Sequence, residues 1–457
     1  MDILSKFQKS VVFLIKATMY VCLIGTFFLV FSTEFAWLLR PSRTTAVTFV
    51  TFCVVEALLV AIYGGFTIGK VKSKPIVMQI SIATIIADFV THMQLCIMNV
   101  NENLNSHFIY ESPHLLILVM CIQVSLVILF TYLGHYVYFS INPPEKCCII
   151  TSSEDSLNNI VPKVKRYKKQ YKIVHMIHYT SKDLFDIINE CDTIFIYDVP
   201  AQEKSFITEY CYAKSKNIYF NFEMDDVVML GARTAMLDDK PMVSAVVREL
   251  TFEQRFVKRL MDILISLVGL IICGIPMLIC AILIKAEDSG HVFFRQVRAT
   301  KGGKLFKVYK FRTMKEADSV NRSVTSDDDR ITKIGKYLRK FRIDELPQLI
   351  NILKGEMSVV GPRPEMIENV DKYTEELPEF KYRLRVKGGL TGYAQIAGKY
   401  NTSPKDKLVL DLMYIEKYSL WLDFKLIMQT VTVFLRASDS TKAFGKKENK
   451  YHFTQND

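Results

Sequence analysis

No two of the ten cysteines stand in a C-x-x-C spacing, and their positions sketch no disulfide framework. Cys22, Cys53, Cys96, Cys121, Cys273 and Cys280 lie inside apolar runs, which excludes a zinc ribbon and suits buried thiols in a reducing compartment. Acid is in deficit: 47 Asp and Glu stand against 58 Lys and Arg, a formal net charge of +11. An excess of base would suit nucleic acid, but half of the residues are hydrophobic and the long apolar runs exclude that class. Apolar and basic together point to a membrane protein that works beside anionic lipid or on phosphorylated substrates. With 457 residues, the chain has room for about three domains.

Four apolar stretches, each about 20 residues or longer, fill the first third: Val11–Phe31, Ala46–Ile68, Ile76–Val100 and Leu115–Ile141. They predict a four-span bundle over residues 1–142. The first carries Lys16 and no small-residue cleavage site follows it, so it is not expected to be a cleaved leader. Lys6, Lys9, Lys70, Lys72 and Lys74 flank one side, while the loop 101–114 has neither Lys nor Arg. The positive-inside rule then puts the N-terminus and everything after Ile141 in the cytoplasm, against a small contrary charge from Arg40 and Arg43. Glu56, Asp88 and His92 fall inside the stretches. With no periodic polar face to line a pathway, they are expected to bond across the bundle.

From Pro143 the composition changes. Short β-rich runs (Cys147–Thr151, Tyr171–His178, Thr193–Asp198, Asn217–Phe222) alternate with polar, helix-like segments (Asp155–Lys169, Lys182–Glu190, Ala201–Ser215). That alternation predicts a degenerate Rossmann-like α/β domain over 143–245. It has no G-x-G-x-x-G turn and no P-loop, so nucleotide binding is not expected there. A regulatory or docking role is. The basic run Lys163, Lys165, Arg166, Lys168, Lys169 reads as a solvated helix face.

A fifth apolar segment, Leu260–Ile284, is long enough to span but basic at both ends. Arg248, Arg255, Lys258 and Arg259 precede it; Lys285, Arg295, Arg298, Lys301, Lys304, Lys307, Lys310 and Arg312 follow. Both ends therefore prefer the same side. Pro276, two residues after Gly274, marks the cheapest place for a break. The expectation is a re-entrant hairpin over 258–285, with Lys258, Arg259 and Pro276 as its membrane anchor.

The most informative stretch is Arg339–Pro364, RKFRIDELPQLINILKGEMSVVGPRP. Cations lead into the carboxylate pair Asp344–Glu345; Pro347 and Gly355 bracket a short helix. The pair is thus expected at a helix N-terminus, where the macrodipole favours ionised acids. Alone, an Asp-Glu before a helix is a cap. Here it is joined by the cation-rich run Val292–Met314, the acid run Asp327–Arg330 and the glycine turn Val386–Gln395. These are parts for diphosphate chemistry, with hard oxygen ligands that suit Mg²⁺.

From Arg255 to about Arg436 the chain resembles the bacterial sugar transferases, the monotopic phosphoglycosyl transferases. The likeness rests on KRLMD (258–262), FFRQVR (293–298), KFRTM (310–314), DDDRITKIGKYLR (327–339), DELPQLINILKGEMSVVGPRP (344–364) and GGLTGYAQ (388–395). It implies a membrane α-helical bundle, a cytoplasmic Rossmann-like domain and an α/β catalytic domain (246–437) with a re-entrant helix, followed by a loose polar tail (438–457). The implied reaction moves a sugar 1-phosphate from a UDP-sugar to polyprenyl phosphate at the cytoplasmic face of a bacterial inner membrane. Asp344 would attack the β-phosphorus, and Asp344 and Glu345 would hold Mg²⁺. Lys310, Arg312, Arg339, Arg363, Arg298, Gln296 and Gln395 would contact phosphate or nucleotide. Anionic lipid is a further expected partner, with a homodimer and downstream glycosyltransferases as candidates and nucleic acid excluded. Ile275, Thr300, Lys387, Gly388 and Arg342 depart from the family pattern. The rival reading is a silent scaffold that docks synthesis partners. Two amphipathic stretches, Lys405–Tyr418 and Leu420–Arg436 with Trp421 between them, suit either the membrane interface or the catalytic core.

Overall fold

The computed structural model describes residues 8–102, 108, 110–245, 249–315, 330–398, 403–435 and 450–454. Arg248, Asp327, most of the 438–457 tail and the loop around His107 lie outside these residues. The chain forms two compact units, Met1–Asn221 with Glu448–Asp457, and Phe222–Lys447.

The first unit opens with four long helices: α1 (Gln8–Phe31), α2 (Arg43–Tyr63), α3 (Ser73–Glu102) and α4 (Pro113–Ile141). All four are long and apolar enough to cross a membrane. They enclose Leu23, Phe27, Phe31, Phe52, Ile80 and Val127, while Phe13, Val54, Leu129 and Tyr136 face outward. An apolar inside and an apolar outside are what a bundle in lipid requires. Polar side chains link the helices inside: Thr84 donates to Glu56 Oε1 (3.1 Å), and Gln123 donates to the Leu23 carbonyl (2.9 Å). His92 reaches the Glu111 carbonyl at 2.8 Å, and Asp88 is fully buried.

A parallel sheet follows, built from β1 (Glu145–Thr151), β2 (Tyr171–His178), β3 (Thr193–Tyr197) and β4 (Asn217–Phe220) in the order β2-β1-β3-β4. Helices α5 (Glu154–Lys165), α6 (Leu184–Glu190) and α7 (Ala201–Ala213) make the crossovers. Cys147–Ile150 are wholly buried because β1 is covered on both faces. The expected basic face is exposed at Lys163, Lys165, Arg166, Lys168 and Lys169. The tail corrects the expectation of a loose end: Tyr451 and Phe453 pack with α5 and β2. Two aromatics in a polar tail carry enough apolar surface to hold it down.

The second unit begins earlier than the composition shift suggested. Helix α8 (Met224–Met229) places Met224 and Val227 against the core of the second unit, and an exposed hairpin of β5 (Arg233–Leu237) and β6 (Lys240–Ser244) follows. Next comes α9 (Phe252–Asp288), 37 residues long. The expected helix–break–helix is absent: hydrogen-bonded helix continues through Pro276. Pro removes one donor and one intrahelical bond there, and the turns on either side are intact.

An antiparallel pair, β7 (Phe293–Ala299) and β8 (Leu305–Phe311), leads to α10 (Lys333–Lys340), capped by Thr332 (2.9 Å to the Gly335 amide). Then follow α11 (Gln348–Lys354), β9 (Ser358–Val360), α12 (Ile367–Glu376), β10 (Gly389–Thr391), α13 (Tyr393–Ala397), α14 (Pro404–Glu416) and α15 (Leu420–Leu435). Ile352, Met357, Phe380, Leu408, Tyr414 and Leu426 form the core. Leu408, Leu412 and Tyr414 seat α14 in that core, whereas α15 buries Leu422 and Leu426 and exposes Trp421.

Candidate active site

Two pieces of backbone set the site. Arg342, with φ 55°, turns the chain out of α10 into a 3₁₀ turn, Ile343–Glu345. The acids therefore lie in a 3₁₀ turn that leads through Leu346 and Pro347, both in the right-handed helical region, into α11 at Gln348. The second piece is the Gly-Pro-Arg-Pro turn after β9. β9 pairs in parallel with β10, and a Cβ on Gly389 would come within 2.0 Å of the Gly361 nitrogen. Only glycines allow that approach. The Gly389 amide then donates to the Pro362 carbonyl (2.8 Å), and Arg383 donates to the Arg363 carbonyl (2.7 Å).

Together they bring Arg363 to Glu345, at 2.5 Å from Nη2 to Oε1 and 3.4 Å from Nη1 to Oε2. Lys310, at the end of β8, donates to the same Oε1 at 3.0 Å. Burial alone would raise the Glu345 carboxyl. Arg363 and Lys310 outweigh it and hold Glu345 well below the usual range. Asp344 moves the other way. Burial first, and then the charge of Glu345, push it up, against the pull of Lys310, Arg339 and Arg363. Burial pulls the Lys310 ammonium below its usual range, with Glu345 opposing.

The other expected residues divide. Arg339 donates to Thr313 Oγ1 (2.8 Å) and acts on Asp344 electrostatically. Arg312 is buried just past β8. Arg298 binds the Pro364 carbonyl (3.0 Å) and Gln296 Oε1 (2.6 Å). Burial and the nearby Arg363 pull the Arg298 guanidinium down to about 10. Gln395 lies on α13, its amide atoms buried and without a hydrogen-bond partner among the described residues. Lys258 and Arg259, expected to flank the membrane segment, engage the protein. Lys258 donates to Asp423 (2.6 Å) and the Val360 carbonyl (3.2 Å). Arg259 donates to the Ile352 and Leu353 carbonyls (2.6 Å each), closing the C-terminus of α11.

The sequence reading missed a second charge cluster. Glu365 lies 3.5 Å from Lys407, 3.8 Å from Arg383 and 3.9 Å from Arg298; Arg383 also meets Asp411 at 2.8 Å. Burial would raise Glu365, but these cations hold it below the usual range. Glu365 directly follows the Pro-Arg-Pro turn, and that adjacency was the available signal. Among the described residues no group of three or more His, Cys, Asp or Glu could hold a metal ion. Glu345 is already taken by two cations, so a divalent ion would need most of its oxygens from a substrate and water.

The structure thus gathers Lys310, Arg339 and Arg363 around an adjacent Asp-Glu pair, in a unit that also carries a long apolar helix. Residues 253–437 match the family model for bacterial sugar transferases. Galactosyl transferase CpsE of Streptococcus agalactiae is 30% identical over 341 residues, covering 66% of this chain and 75% of its own length. The chain belongs to the bacterial sugar transferase family. A UDP-N-acetylgalactosamine-undecaprenyl-phosphate N-acetylgalactosaminephosphotransferase of Aeromonas hydrophila is 42% identical over 185 residues. That match covers 39% of this chain and 44% of the relative. A UDP-glucose:undecaprenyl-phosphate glucose-1-phosphate transferase of Escherichia coli is 38% identical over 211 residues, covering 44% of this chain and 45% of the relative. The chain thus spans under half the length of the Aeromonas and Escherichia relatives.

Proposed function

We propose that the protein is a polyprenyl-phosphate glycosyl-1-phosphate transferase of the cytoplasmic membrane, acting on a UDP-sugar and undecaprenyl phosphate. The observation that carries this reading is the divergent pair: Glu345 fixed by Arg363 and Lys310, and Asp344 beside it, its carboxyl pushed the other way by burial and by Glu345. The names of the Aeromonas and Escherichia relatives support the two substrate classes.

In the proposed sequence an Asp344 oxygen attacks the β-phosphorus of the UDP-sugar. The bond to the bridging oxygen breaks, UMP leaves, and the phosphosugar is held on Asp344. An oxygen of the lipid phosphate then attacks that phosphorus, breaks the bond to Asp344 and restores the carboxylate. The product is a polyprenyl-diphosphate sugar. Arg363 and Lys310 keep Glu345 ionised and place positive charge where the diphosphate must bind, and Arg339 adds to it. Asp344 and Glu345 are the carboxylates that would hold Mg²⁺, which supplies charge neutralisation of the diphosphate. Helix α9 is read as entering the membrane without crossing it.

The test uses membranes containing the full chain and UDP-sugar labelled at the β-phosphorus. Label is expected on the protein, chased off by undecaprenyl phosphate. Asp344→Asn is expected to lose both label and UMP release by on the order of 10⁴-fold or more, the scale for removing a nucleophile. Turnover that survives Asp344→Asn would overturn Asp344 as the nucleophile, and a full chain with no turnover at all would leave the rival scaffold reading standing.

A further inference from the structure

The parallel sheet of the first unit ends on one side at β2, an edge strand whose outer amides and carbonyls have no strand partner in the sheet. Such an edge is a template for added backbone. In this molecule it is occupied. The Thr454 amide donates to the Met176 carbonyl (2.6 Å), and the Met176 amide donates back to Thr454 Oγ1 (2.8 Å). Next to it the Tyr451 amide donates to Asn158 Oδ1 on α5 (2.7 Å).

Side chains seat the same segment. Tyr451 and Phe453 pack against the buried cluster that holds Cys147, Leu157 and Val161. Lys165 lies 4.3 Å from the centroid of the Tyr451 ring, and Phe453 meets the His178 ring edge-on at 5.5 Å. His452, between them, pairs with exposed Glu154 at 2.9 Å. No nucleotide fingerprint follows β1, so this groove is the feature of the α/β domain with a visible ligand.

We propose that the α/β domain is a peptide-docking module whose site lies between the β2 edge and α5. Its ligand is an extended aromatic-x-aromatic-Thr segment, and the occupant is this chain's own Tyr451–Thr454. The consequence is a second, non-covalent tether of the chain's C-terminal segment to the α/β domain, besides the peptide connection at Asn221–Phe222. A tethered ligand acts at an effective concentration on the order of millimolar, so free peptide binds only when the tail is missing.

Hydrogen exchange across residues 171–178 tests this, comparing the full chain with one ending at Lys450. Protection of the Met176 amide is expected to fall about tenfold or more on truncation. A synthetic peptide of residues 450–457 is expected to restore it, and a peptide with Tyr451→Ala and Phe453→Ala is not. The same double substitution in the full chain guards against a truncation that misfolds, and is expected to match the truncation. Unchanged protection, or restoration by the doubly substituted peptide, overturns the proposal. In a chain otherwise free of cysteine, Glu154→Cys and His452→Cys, which replace the exposed pair at the rim of the groove, are joined by a short thiol crosslinker. A crosslink within one chain supports the assignment, and a crosslinked dimer overturns it by giving the site to a second copy's tail.

Discussion

Two neighbouring carboxyl groups whose pKa values are pushed in opposite directions can take different parts in the proposed phosphoryl transfer. Glu345 has both oxygens bonded to Arg363 and one to Lys310 as well, so it serves as a fixed negative charge. That charge, with burial, holds the Asp344 carboxyl above its ordinary range. A carboxyl with a raised pKa keeps its proton to higher pH, so a nucleophilic Asp344 becomes competent only as pH rises through that raised value. Glu345→Gln removes the repelling charge and frees Arg363 and Lys310 to act on Asp344. Both changes lower its pKa. The acid limb of the kcat/KM profile for UMP release is therefore expected to move to lower pH in Glu345→Gln, while the maximal rate falls. A limb that stays in place, or moves up, would show that Asp344 is not the group titrating.

At the scale of elements, the joint between α9 and the catalytic core includes a buried ion pair. Lys258 and Asp423 meet at 2.6 Å with side chains 10% and 2% exposed, and Tyr414 donates to the other Asp423 oxygen at 2.7 Å. Lys258→Ala leaves Asp423 buried without its cation, which costs about 3–5 kcal/mol. The thermal inactivation midpoint is expected to drop by roughly 10 °C. Replacing both partners, Lys258→Met with Asp423→Leu, is expected to recover much of it, because an apolar pair leaves no stranded charge. This pair also shows what local pattern can and cannot reveal. The helices, the parallel strands and the Gly-bounded α11 were legible, since period, caps and turn residues are local properties. Lys258 read as a flanking cation because its partner is 165 residues away in sequence. Glu365 and Arg383 were missed for the same reason: their pairing is made by the fold of the Pro-Arg-Pro turn. The 3₁₀ turn at Asp344 was hidden by Pro347, which marks a helix start without saying what precedes it.

At the scale of the molecule, the proposed reaction asks one chain to join a soluble nucleotide sugar to a lipid. Helix α9, with 37 residues, is about 55 Å long at 1.5 Å per residue, well beyond a hydrocarbon core of about 30 Å. Its contacts decide what it does with that length. Near its start, Asp262 accepts from Ser358 (3.0 Å) and the Val359 amide (2.9 Å). Near its end, Ile284 packs with Phe311 and Leu338, and Glu287 accepts from the Lys333 amide (2.8 Å). Both ends dock on the same catalytic core, while Ile271, Ile272, Ile275, Leu278 and Ile282 present an exposed apolar face between them. A helix held at both ends by one soluble body is suited to dip into a leaflet, and a crossing would have to tear one end away. Single cysteines at Phe252→Cys and Ser289→Cys, in a chain otherwise free of cysteine, test this with a membrane-impermeant maleimide. Both are expected to label in inverted vesicles and neither in intact spheroplasts; labelling from opposite sides would show that α9 spans.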